Sequence, residues 1–581
     1  MRRFLAVAVF AVIIIVAVLT SSGWAQAPAP KVTLTGLFDQ VTSMGRNFYD
    51  GNFARNSDRE WYARTRFRPD FEFSVGRVKA VLGLEIDLQY GQSGSNDGGF
   101  PGNNTGLPGG LGLVTGGAKI NANGNLDLNT DVGGMIEIKW IYTEFPLTGK
   151  DSLLPFIPVE TMARAGGQPF SNLATYKLAT YGTGDFAGLS AITAFAPDFR
   201  TNLAWVIAEQ ELAGGNRGLG QAKLTRGSDY ALIFSPEFTP VKGLDIKPLY
   251  SWWHADGITQ TAARRNLVNV RSVGAVAGAG TAVLGSPGSM GGAPCPLGVP
   301  CTSPGDPTYH ENRHTIGLDA RWRVGPFGLD PTFYYQWGRM DSMAFDTSGP
   351  TGTPGTAKRV TADLSAFFVD IIASYQLGPL LLELRGDYST GNKARDNLAK
   401  GIRYFQPLDT DGIYYAGWAQ IMALGVDYFN GVSMGGMGSG IGYDRYGRAQ
   451  LGFRATYTIV PPLSVYAVVS PTWTAEKVDT DTNSGLVPGA VSLTVGRTTV
   501  SSASWTVGDS NYLGTEANLG FTWRFAPNAA FDLVGAWLFA GAALDTAECI
   551  GGAPGSCAGG TVVRKDAHDA YTLAARVRLA F

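Results

Sequence analysis

The sequence predicts an all-β protein: a transmembrane, antiparallel, up-and-down β-barrel of about eighteen strands, or sixteen, with short periplasmic turns and long extracellular loops. Three observations lead to this fold class. Polar and apolar side chains alternate in segments of roughly ten residues, which is the pattern of a membrane barrel. Charged residues make up 16% of the 581 residues, against about 25% in an average soluble protein. Beyond the N-terminal region, no apolar run is long enough to form a spanning helix.

The N-terminus has the pattern of a secretory signal peptide. Two arginines precede an apolar run from Phe4 to Leu19, and Ala25-Gln26-Ala27 follows as a cleavage context. We expect residues 1–25 to be the signal peptide, with cleavage after Ala25 or Ala27. The apolar run is somewhat long, so an uncleaved membrane anchor is the alternative.

The remainder, residues 31–581, is predicted to form a single barrel domain in the bacterial outer membrane. An exported chain with little charge and no spanning helix fits that membrane, where closed barrels replace helices.

The alternation is clearest in residues 61–73, WYARTRFRPDFEF. Arg64, Arg66 and Arg68 occupy every second position, with aromatic and apolar residues between and around them. A helix cannot separate these two sets because its side chains repeat about every 3.6 residues, whereas a strand points successive side chains to opposite faces. The same alternation recurs at 78–90, 315–324, 380–388, 450–459 and 516–525.

Short connections alternate with long ones along the chain. Eight short stretches rich in Gly and Pro are predicted as periplasmic turns: Val75-Gly76, Pro146–Leu154, Gly182–Gly188, Pro240–Gly243, Gly325–Phe327, Gly378-Pro379, Pro461-Pro462 and Pro527-Asn528. Eight long stretches are predicted as extracellular loops: 43–58, 91–130, 198–227, 255–308, 341–360, 391–442, 477–510 and 544–565.

Eight turns join sixteen strands, and the first strand (31–42) and the last (567–581) raise the count to eighteen. The strands near 156–165 and 171–180 alternate least clearly, so sixteen strands remain the alternative. The last strand places its apolar residues on one face and ends in Phe581. It resembles the C-terminal signal by which the barrel-assembly machinery recognises outer-membrane barrels.

The polar face of each strand would line the lumen. The predicted pore-lining residues mix both signs of charge, with cations more frequent near the short turns, where they would favour anions. They are Arg64, Arg66, Arg68, Glu72, Lys79, Glu85, Asp87, Glu137, Asp319, Arg321, Arg323, Glu383, Arg385, Asp387, Arg454, Glu516, Arg524, Arg576 and Arg578.

A two-residue loop at Val75-Gly76 would fix the register of the hairpin that follows the arginine ladder. That register places Glu72 opposite Lys79, Arg66 opposite Glu85, and Arg64 opposite Asp87. Arg68 would then face Gly83 and lack a partner.

The long stretch 391–442 is the candidate constriction loop, because sixteen to eighteen strands leave an aqueous channel that must be narrowed somewhere. It contains aromatic side chains that could fold inward: Tyr404, Phe405, Tyr414, Tyr415 and Trp418. The alternative is that residues 418–429 belong to the wall or to an outer loop.

The four cysteines fall into two local pairs, Cys295 with Cys301 and Cys549 with Cys557, each in a Gly- or Pro-rich stretch. An oxidising compartment would favour a disulfide in each pair.

Other function classes find little support in the sequence. The net charge of −2 argues against nucleic acid, and no cofactor or metal is expected. His310–His314 reads HENRH, but a strand would hold the two histidines about 13 Å apart, too far for one zinc ion. With four histidines and no nucleophile motif, the sequence does not indicate an enzyme.

Four motifs within residues 333–430 resemble the alginate-export family of outer-membrane barrels. They are FYYQWGRMDS, DLSAFFVDIIASYQLGPLLLELRGDYSTG, YFQPLDTDGIYY and GVDYFN, in that order. The resemblance implies an eighteen-stranded barrel with an arginine-rich lumen that passes an anionic polysaccharide. The abundant luminal acids depart from that pattern.

We therefore expect an outer-membrane channel, or porin, for passive diffusion of small hydrophilic solutes, with anionic solutes as an option. One alternative is an exporter of an anionic, alginate-like exopolysaccharide, and another is a structural sleeve for a periplasmic redox partner. The expected partners are outer-membrane lipid, the barrel-assembly machinery through Phe581, and small solutes, with a homotrimer as an option by analogy with general porins.

Overall fold

The computed structural model describes residues 29–47, 53, 59–90, 130–132, 136–169, 181, 185–210, 228–255, 310–345, 357–393, 401–406, 408, 418–422, 446–478, 492–495, 498–501, 508, 510–550 and 561–581. The predicted signal peptide, the predicted strand at 171–180, and Cys295, Cys301 and Cys557 lie outside these residues. The side chain of Cys549 is likewise not described.

Within the described residues, eighteen strands form one closed antiparallel barrel, as the sequence predicts. In chain order they are β1 (Lys31–Arg46), β2 (Arg59–Val75), β3 (Val78–Tyr90), β4 (Ile136–Thr148), β5 (Glu160–Pro169), β6 (Asp185–Ala196), β7 (Phe199–Gln210), β8 (Ser228–Val241), β9 (Leu244–Ala255), β10 (His310–Val324), β11 (Phe327–Phe345), β12 (Ala357–Leu377), β13 (Leu380–Ser389), β14 (Arg448–Val460), β15 (Leu463–Val478), β16 (Ser510–Ala526), β17 (Ala529–Ala540) and β18 (Ala570–Ala580).

Each strand pairs with its neighbours in the chain, and β1 pairs with β18 to close the barrel. At the closing seam, Gly36 and Phe581 exchange two backbone hydrogen bonds of 2.9 and 3.1 Å. The ring of Phe581 stacks on Phe67 with the centroids 6.0 Å apart. The terminal aromatic residue is therefore part of the seam.

The period-two pattern of the sequence explains which face each side chain takes. On β16, Glu516 is fully buried while Leu519 is 69% exposed. On β2, Arg64 is buried and Trp61 is exposed. Large apolar side chains thus cover the outside of the barrel, where lipid would solvate them, and polar side chains line the inside.

Seven of the connections between described strands are two-residue turns. They lie at the end of the barrel where β1 begins and β18 ends. Gly325 and Gly378, each at the first turn position, have φ of +55° and +54°. Type II′ turns require this conformation at that position, and their twist suits a hairpin. The predicted turns at 240–243, 325–327, 378–379, 461–462 and 527–528 are confirmed.

The predicted order between residues 182 and 227 is wrong. The predicted turn Gly182–Gly188 overlaps β6, where Gly188 pairs with Val206. The predicted loop 198–227 contains a whole strand, Phe199–Gln210, because the reversal is the turn at Pro197-Asp198. The predicted strand at 156–165 lies later, at Glu160–Pro169. The described residues contain eighteen barrel strands, including Phe199–Gln210, which was not predicted, whereas the strand predicted at 171–180 lies outside the described residues.

The predicted register of the β2–β3 hairpin is also wrong, by two residues. The turn is Gly76-Arg77, so Val75 pairs with Val78 and Arg66 pairs with Asp87. Gly76 has φ +60°, which places it at the first turn position rather than the second. A shift of two preserves the face of every side chain, because strand side chains alternate with period two.

Several short elements lie at the end of the barrel that carries the long connections. Thr130–Val132 adds to β4, and Gly401–Ile402 runs parallel to β12 at Asp363 and Leu364. The hairpins Ser492–Val495/Thr498–Ser501 and Thr546–Ile550/Thr561–Lys565 and a single 3-10 turn, Ala542–Leu544, complete the described elements. None of the described helices has the length and apolar character needed to cross a membrane.

Candidate solute pathway through the barrel

One group of luminal charges surrounds Glu85 on β3. Its buried carboxylate lies 2.8 Å from Arg66 and 3.5 Å from Lys139, and it also accepts a hydrogen bond from Arg68. Arg68 was predicted to lack a partner, and that prediction is wrong, because the observed register, in which Phe67 pairs with Ile86, brings Arg68 opposite Glu85. Three cations therefore surround this one carboxylate, and the Arg68 side chain keeps 32% of its surface exposed to the lumen.

A second group closes the seam between the first and last strands. Arg576 of β18 donates two hydrogen bonds of 2.7 Å to Asp39 of β1. Arg64 lies 3.8 Å from the same carboxylate. Asp39 is 1% exposed, so this paired arrangement ties the two strands together while leaving a net charge of +1.

A third group lies on the neighbouring strands β12–β14. Arg385 donates to both oxygens of Asp370 at 2.9 and 3.2 Å and lies 3.8 Å from Asp387. Nearer the turns, Arg454 forms a 2.5 Å hydrogen bond with Glu383. This wall therefore carries its cations in close pairs with acids.

Near the short turns, the predicted cations also meet acids. Lys79 lies 3.5 Å from Glu72 and 3.2 Å from Glu144. Arg578 lies 2.7 Å from Asp532. Arg323 pairs with Asp330, whereas Arg321 and Arg524 are exposed. The cation-rich end of the lumen is thus a mixed rim.

The first half of the candidate constriction loop lies against the luminal wall of β10–β12. The backbone N–H of Gln406 donates to Gln336 at 2.8 Å, and its side-chain oxygen accepts from Arg313 at 2.6 Å. Phe405 stacks on Tyr334 and Phe368 with centroids 5.9 and 5.5 Å apart. This contact belongs to an apolar cluster on the inward face of β7–β12.

The second half lies against a separate part of the wall, at β16. The buried carboxylate of Glu516 accepts the backbone N–H groups of Gln420, Ile421 and Met422. Ile421 and Met422 join a second apolar cluster, which lines the inward face of β15–β18 and β1.

The ring of Trp418 strengthens this attachment. The Arg454 guanidinium lies 4.4 Å from its centroid, within the range of a cation–π contact. The carbonyl oxygen of Trp418 accepts a hydrogen bond of 3.1 Å from Asn518. Residues 401–406, 408 and 418–422, here called the luminal segment, therefore contact two separate parts of the wall, β10–β12 and β14–β16. An outer loop, the alternative for residues 418–429, does not fit these contacts of 418–422, and Tyr414 and Tyr415 lie outside the described residues.

Several of the predicted pore-lining side chains are buried in the structure, and their role in solute passage stays a prediction; they are Arg64, Arg66, Glu85, Asp319, Glu383, Arg385, Asp387, Glu516 and Arg576. Asp319 accepts a 2.6 Å hydrogen bond from Thr332 inside the barrel. The side chains of Asp87 and Glu137 are not described. Sequence reasoning missed several luminal residues that complete the pairs: Asp39, Lys139, Glu144, Arg164, Asp370 and Asp532. Their alternation with apolar neighbours could have identified them as inward-facing, but not which partner each one takes.

The HENRH motif has the extended conformation expected from the sequence. Glu311 is buried in the lumen 3.4 Å from Arg313, and His314 lies on the outer face. Among the described residues, no group of three or more His, Cys, Asp or Glu side chains could hold a metal ion.

Comparisons with known proteins gave matches only among solved structures. No family model matches the chain, and no curated protein matches it, so the resemblance to alginate-export barrels receives no support. The outer membrane protein OprD from Pseudomonas aeruginosa is similar at 11% identity over 96% of this chain and 95% of that chain, with a TM-score of 0.40. Acinetobacter baumannii OccAB4 gives 8% identity over 96% and 100% of the two chains, with a TM-score of 0.41.

Proposed function

We propose that the protein is a channel of the bacterial outer membrane for passive diffusion of small hydrophilic solutes, with a preference for anions. The observation that carries this proposal is the two-sided wall: eighteen described strands close on themselves, with apolar side chains outside and charged pairs inside. Barrels of sixteen to eighteen strands are wide enough for an aqueous channel, whereas eight strands are filled by their own side chains.

The luminal segment supports a size limit for the solute. It places Phe405 against one wall and Ile421 and Met422 against the other. A segment attached to two parts of the wall narrows the space between them, so only small solutes would pass. Residues 391–442 thus act as the constriction in this proposal.

The group around Glu85 supports the anion preference. Arg66, Arg68 and Lys139 lie around this one carboxylate, and a ring or patch of cations biases passage toward anions. Arg68 is the member with the greatest exposure to the pathway among the arginines of this group.

The remaining expectations form part of the same proposal. Residues 1–25 direct export as a signal peptide, and Phe581 directs insertion by the barrel-assembly machinery. The cysteines pair locally, and three barrels can associate. Among the described residues, no observation specifically favours a polysaccharide exporter or a sleeve for a redox partner.

Reversal potentials in planar bilayers test the selectivity. Under a KCl gradient, R68A should move the reversal potential toward cation preference, because it removes one of three positive charges beside Glu85. E85Q should move the reversal potential toward anion preference, since it removes the negative charge that Arg66, Arg68 and Lys139 surround. R339A is the matched control, because Arg339 is 77% exposed on the outer face, away from the lumen.

Graded sugar polymers added to the same bilayers would measure the size of the opening. A non-conducting barrel would overturn the channel itself. Equal reversal potentials for wild type, R68A and E85Q would overturn only the role of the Glu85 group.

A further inference from the structure

Three aromatic rings form a continuous shelf on the outside of the barrel. Trp252, His314 and Trp337 lie on the neighbouring strands β9, β10 and β11. His314 stacks between the two indoles, with centroids 6.4 Å from Trp252 and 5.4 Å from Trp337 and interplanar angles of 9° and 20°. We call these three residues the aromatic shelf.

Hydrogen bonds hold the rings of the shelf in place. The Tyr250 hydroxyl lies 2.9 Å from Nδ1 of His314. Nε1 of Trp252 donates to Oδ1 of Asn312 at 3.1 Å, and Nδ1 of His254 lies 3.0 Å from the same oxygen. The shelf is therefore rigid before any ligand arrives, so little side-chain entropy is lost on binding.

A groove of about 670 Å³ runs beside the shelf, which is within the usual range for small-ligand sites of about 300–1,000 Å³. His314 and Trp337 form its apolar side, and Thr361 and Asp363 form its polar side. Arg339 lies 3.3 Å from Asp363, and both side chains are 77% exposed. The groove thus combines flat rings, oxygen acceptors and one accessible guanidinium.

The position of the shelf along the barrel identifies what surrounds it. From Phe327, which follows the turn, to Trp337 there are ten residues of strand, which span about 25 Å across the membrane at 3.3 Å per residue and a tilt of about 40°. This equals the usual height of the apolar band. The shelf therefore lies at the interface on the side of the long loops, and Arg339 lies at the level of the lipid headgroups.

We propose that the aromatic shelf and its groove bind the phosphorylated saccharide headgroup of a glycolipid in the outer leaflet. A sugar ring presents C–H groups to the exposed part of the Trp337 ring, because aromatic faces carry partial negative charge. Asp363 accepts hydrogen bonds from sugar hydroxyls, the Thr361 hydroxyl can donate or accept one, and Arg339 contacts the phosphate. A phospholipid headgroup would use the arginine but not the flat shelf.

This inference rests on the outer-membrane location in the proposed function, but not on conduction. The test uses the full mature chain in nanodiscs that contain equal amounts of phosphatidylglycerol and lipid A, a phosphorylated and acylated glucosamine disaccharide. Native mass spectrometry then counts the lipids retained after mild activation. Wild type should retain lipid A in preference to phosphatidylglycerol.

Two variants separate the parts of the site. The double variant W337A/H314A should lower lipid A retention about tenfold. This is the change expected when one or two stacking contacts with aromatic rings are lost. R339A should remove the preference for the bis-phosphorylated over the monophosphorylated form of lipid A. W61A is the matched control, because Trp61 is an exposed tryptophan of β2 on the other side of the barrel, and its retention should equal that of wild type.

Several outcomes would overturn the proposal. Equal retention of lipid A and phosphatidylglycerol would make the shelf an ordinary aromatic girdle. The same loss in W61A as in W337A/H314A would show that general surface aromatics carry the effect. A dimer or trimer that buries the shelf and dissociates in W337A/H314A would assign the surface to a second copy of the chain. Conductance measured on the same variants reports on the channel separately.

Discussion

The attachment of the luminal segment to Glu516 leads to a quantitative prediction. The carboxylate is fully buried and accepts the backbone N–H groups of Gln420, Ile421 and Met422, the last two at 3.0 and 2.8 Å. Hydrogen bonds to a charged group contribute about 1.5–3 kcal/mol each. Burying the carboxylate opposes this by several kcal/mol. We expect E516A to weaken the attachment by about 3 kcal/mol net, from three bonds less this desolvation.

A change of about 3 kcal/mol corresponds to a shift of more than about 100-fold toward the released segment. Released segments leave the lumen wider, so E516A should raise single-channel conductance and admit larger sugar polymers. The rise in conductance and in polymer size should be smallest for N518A, larger for E516Q and largest for E516A. Asn518 supplies a single neutral hydrogen bond to Trp418, worth about 0.5–1.5 kcal/mol. The glutamine keeps one acceptor oxygen.

The barrel itself must stay folded for this comparison. For each variant, the difference in gel mobility between unheated and heated samples should equal that of the wild type. The reasoning fails if folded E516A conducts and excludes polymers as wild type does. It also fails if N518A has a larger effect than E516A.

Three other predictions concern folding and assembly. R385A should lower the free energy of unfolding by about 3–5 kcal/mol, because it leaves two buried carboxylates, Asp370 and Asp387, without their guanidinium. Urea titrations in detergent measure this free energy. R339A should change the free energy of unfolding by less than about 1 kcal/mol, since its ion pair is exposed. Equal losses in R385A and R339A would contradict the effect of burial. F581A should reduce the amount of barrel inserted in cells while the purified chain still folds into vesicles; failure in vesicles alone, with normal insertion in cells, would assign Phe581 to the seam only. Under non-reducing conditions, peptide mapping should find Cys295 linked to Cys301 and Cys549 linked to Cys557, and free thiols at all four would contradict the predicted pairing.

The sequence predicted the fold well where the alternation was regular. In β2, β13 and β16 the inward and outward sets follow directly from period two, because a strand side chain changes face at each residue. Prediction failed between residues 182 and 227, where small residues blur the alternation and the glycines at 182, 184 and 188 suggested a turn. Gly188 instead lies within β6 at φ +151°, a conformation that glycine tolerates inside a strand.

The candidate site was predicted as a set of residues but not as a set of contacts. Arg66 was correctly placed beside Glu85 although the register was wrong, because long side chains reach diagonal neighbours as well as direct ones. Asp39 was missed as a partner because Arg576 lies on the last strand, 537 positions away. Asp370 was missed because no register was predicted for the hairpin that brings it beside Arg385.

The amino-acid order alone determined that the chain alternates between lipid and water, that it reverses direction at Gly- and Pro-rich turns, and which residues face inward. These properties are local, since they depend on the period of a strand and on the backbone freedom of a few residues. Only the tertiary structure decided which charges pair, and that Phe405 contacts Tyr334 while the backbone of Met422 binds Glu516. Such contacts join residues up to 537 positions apart, so they depend on how the closed barrel brings distant strands together.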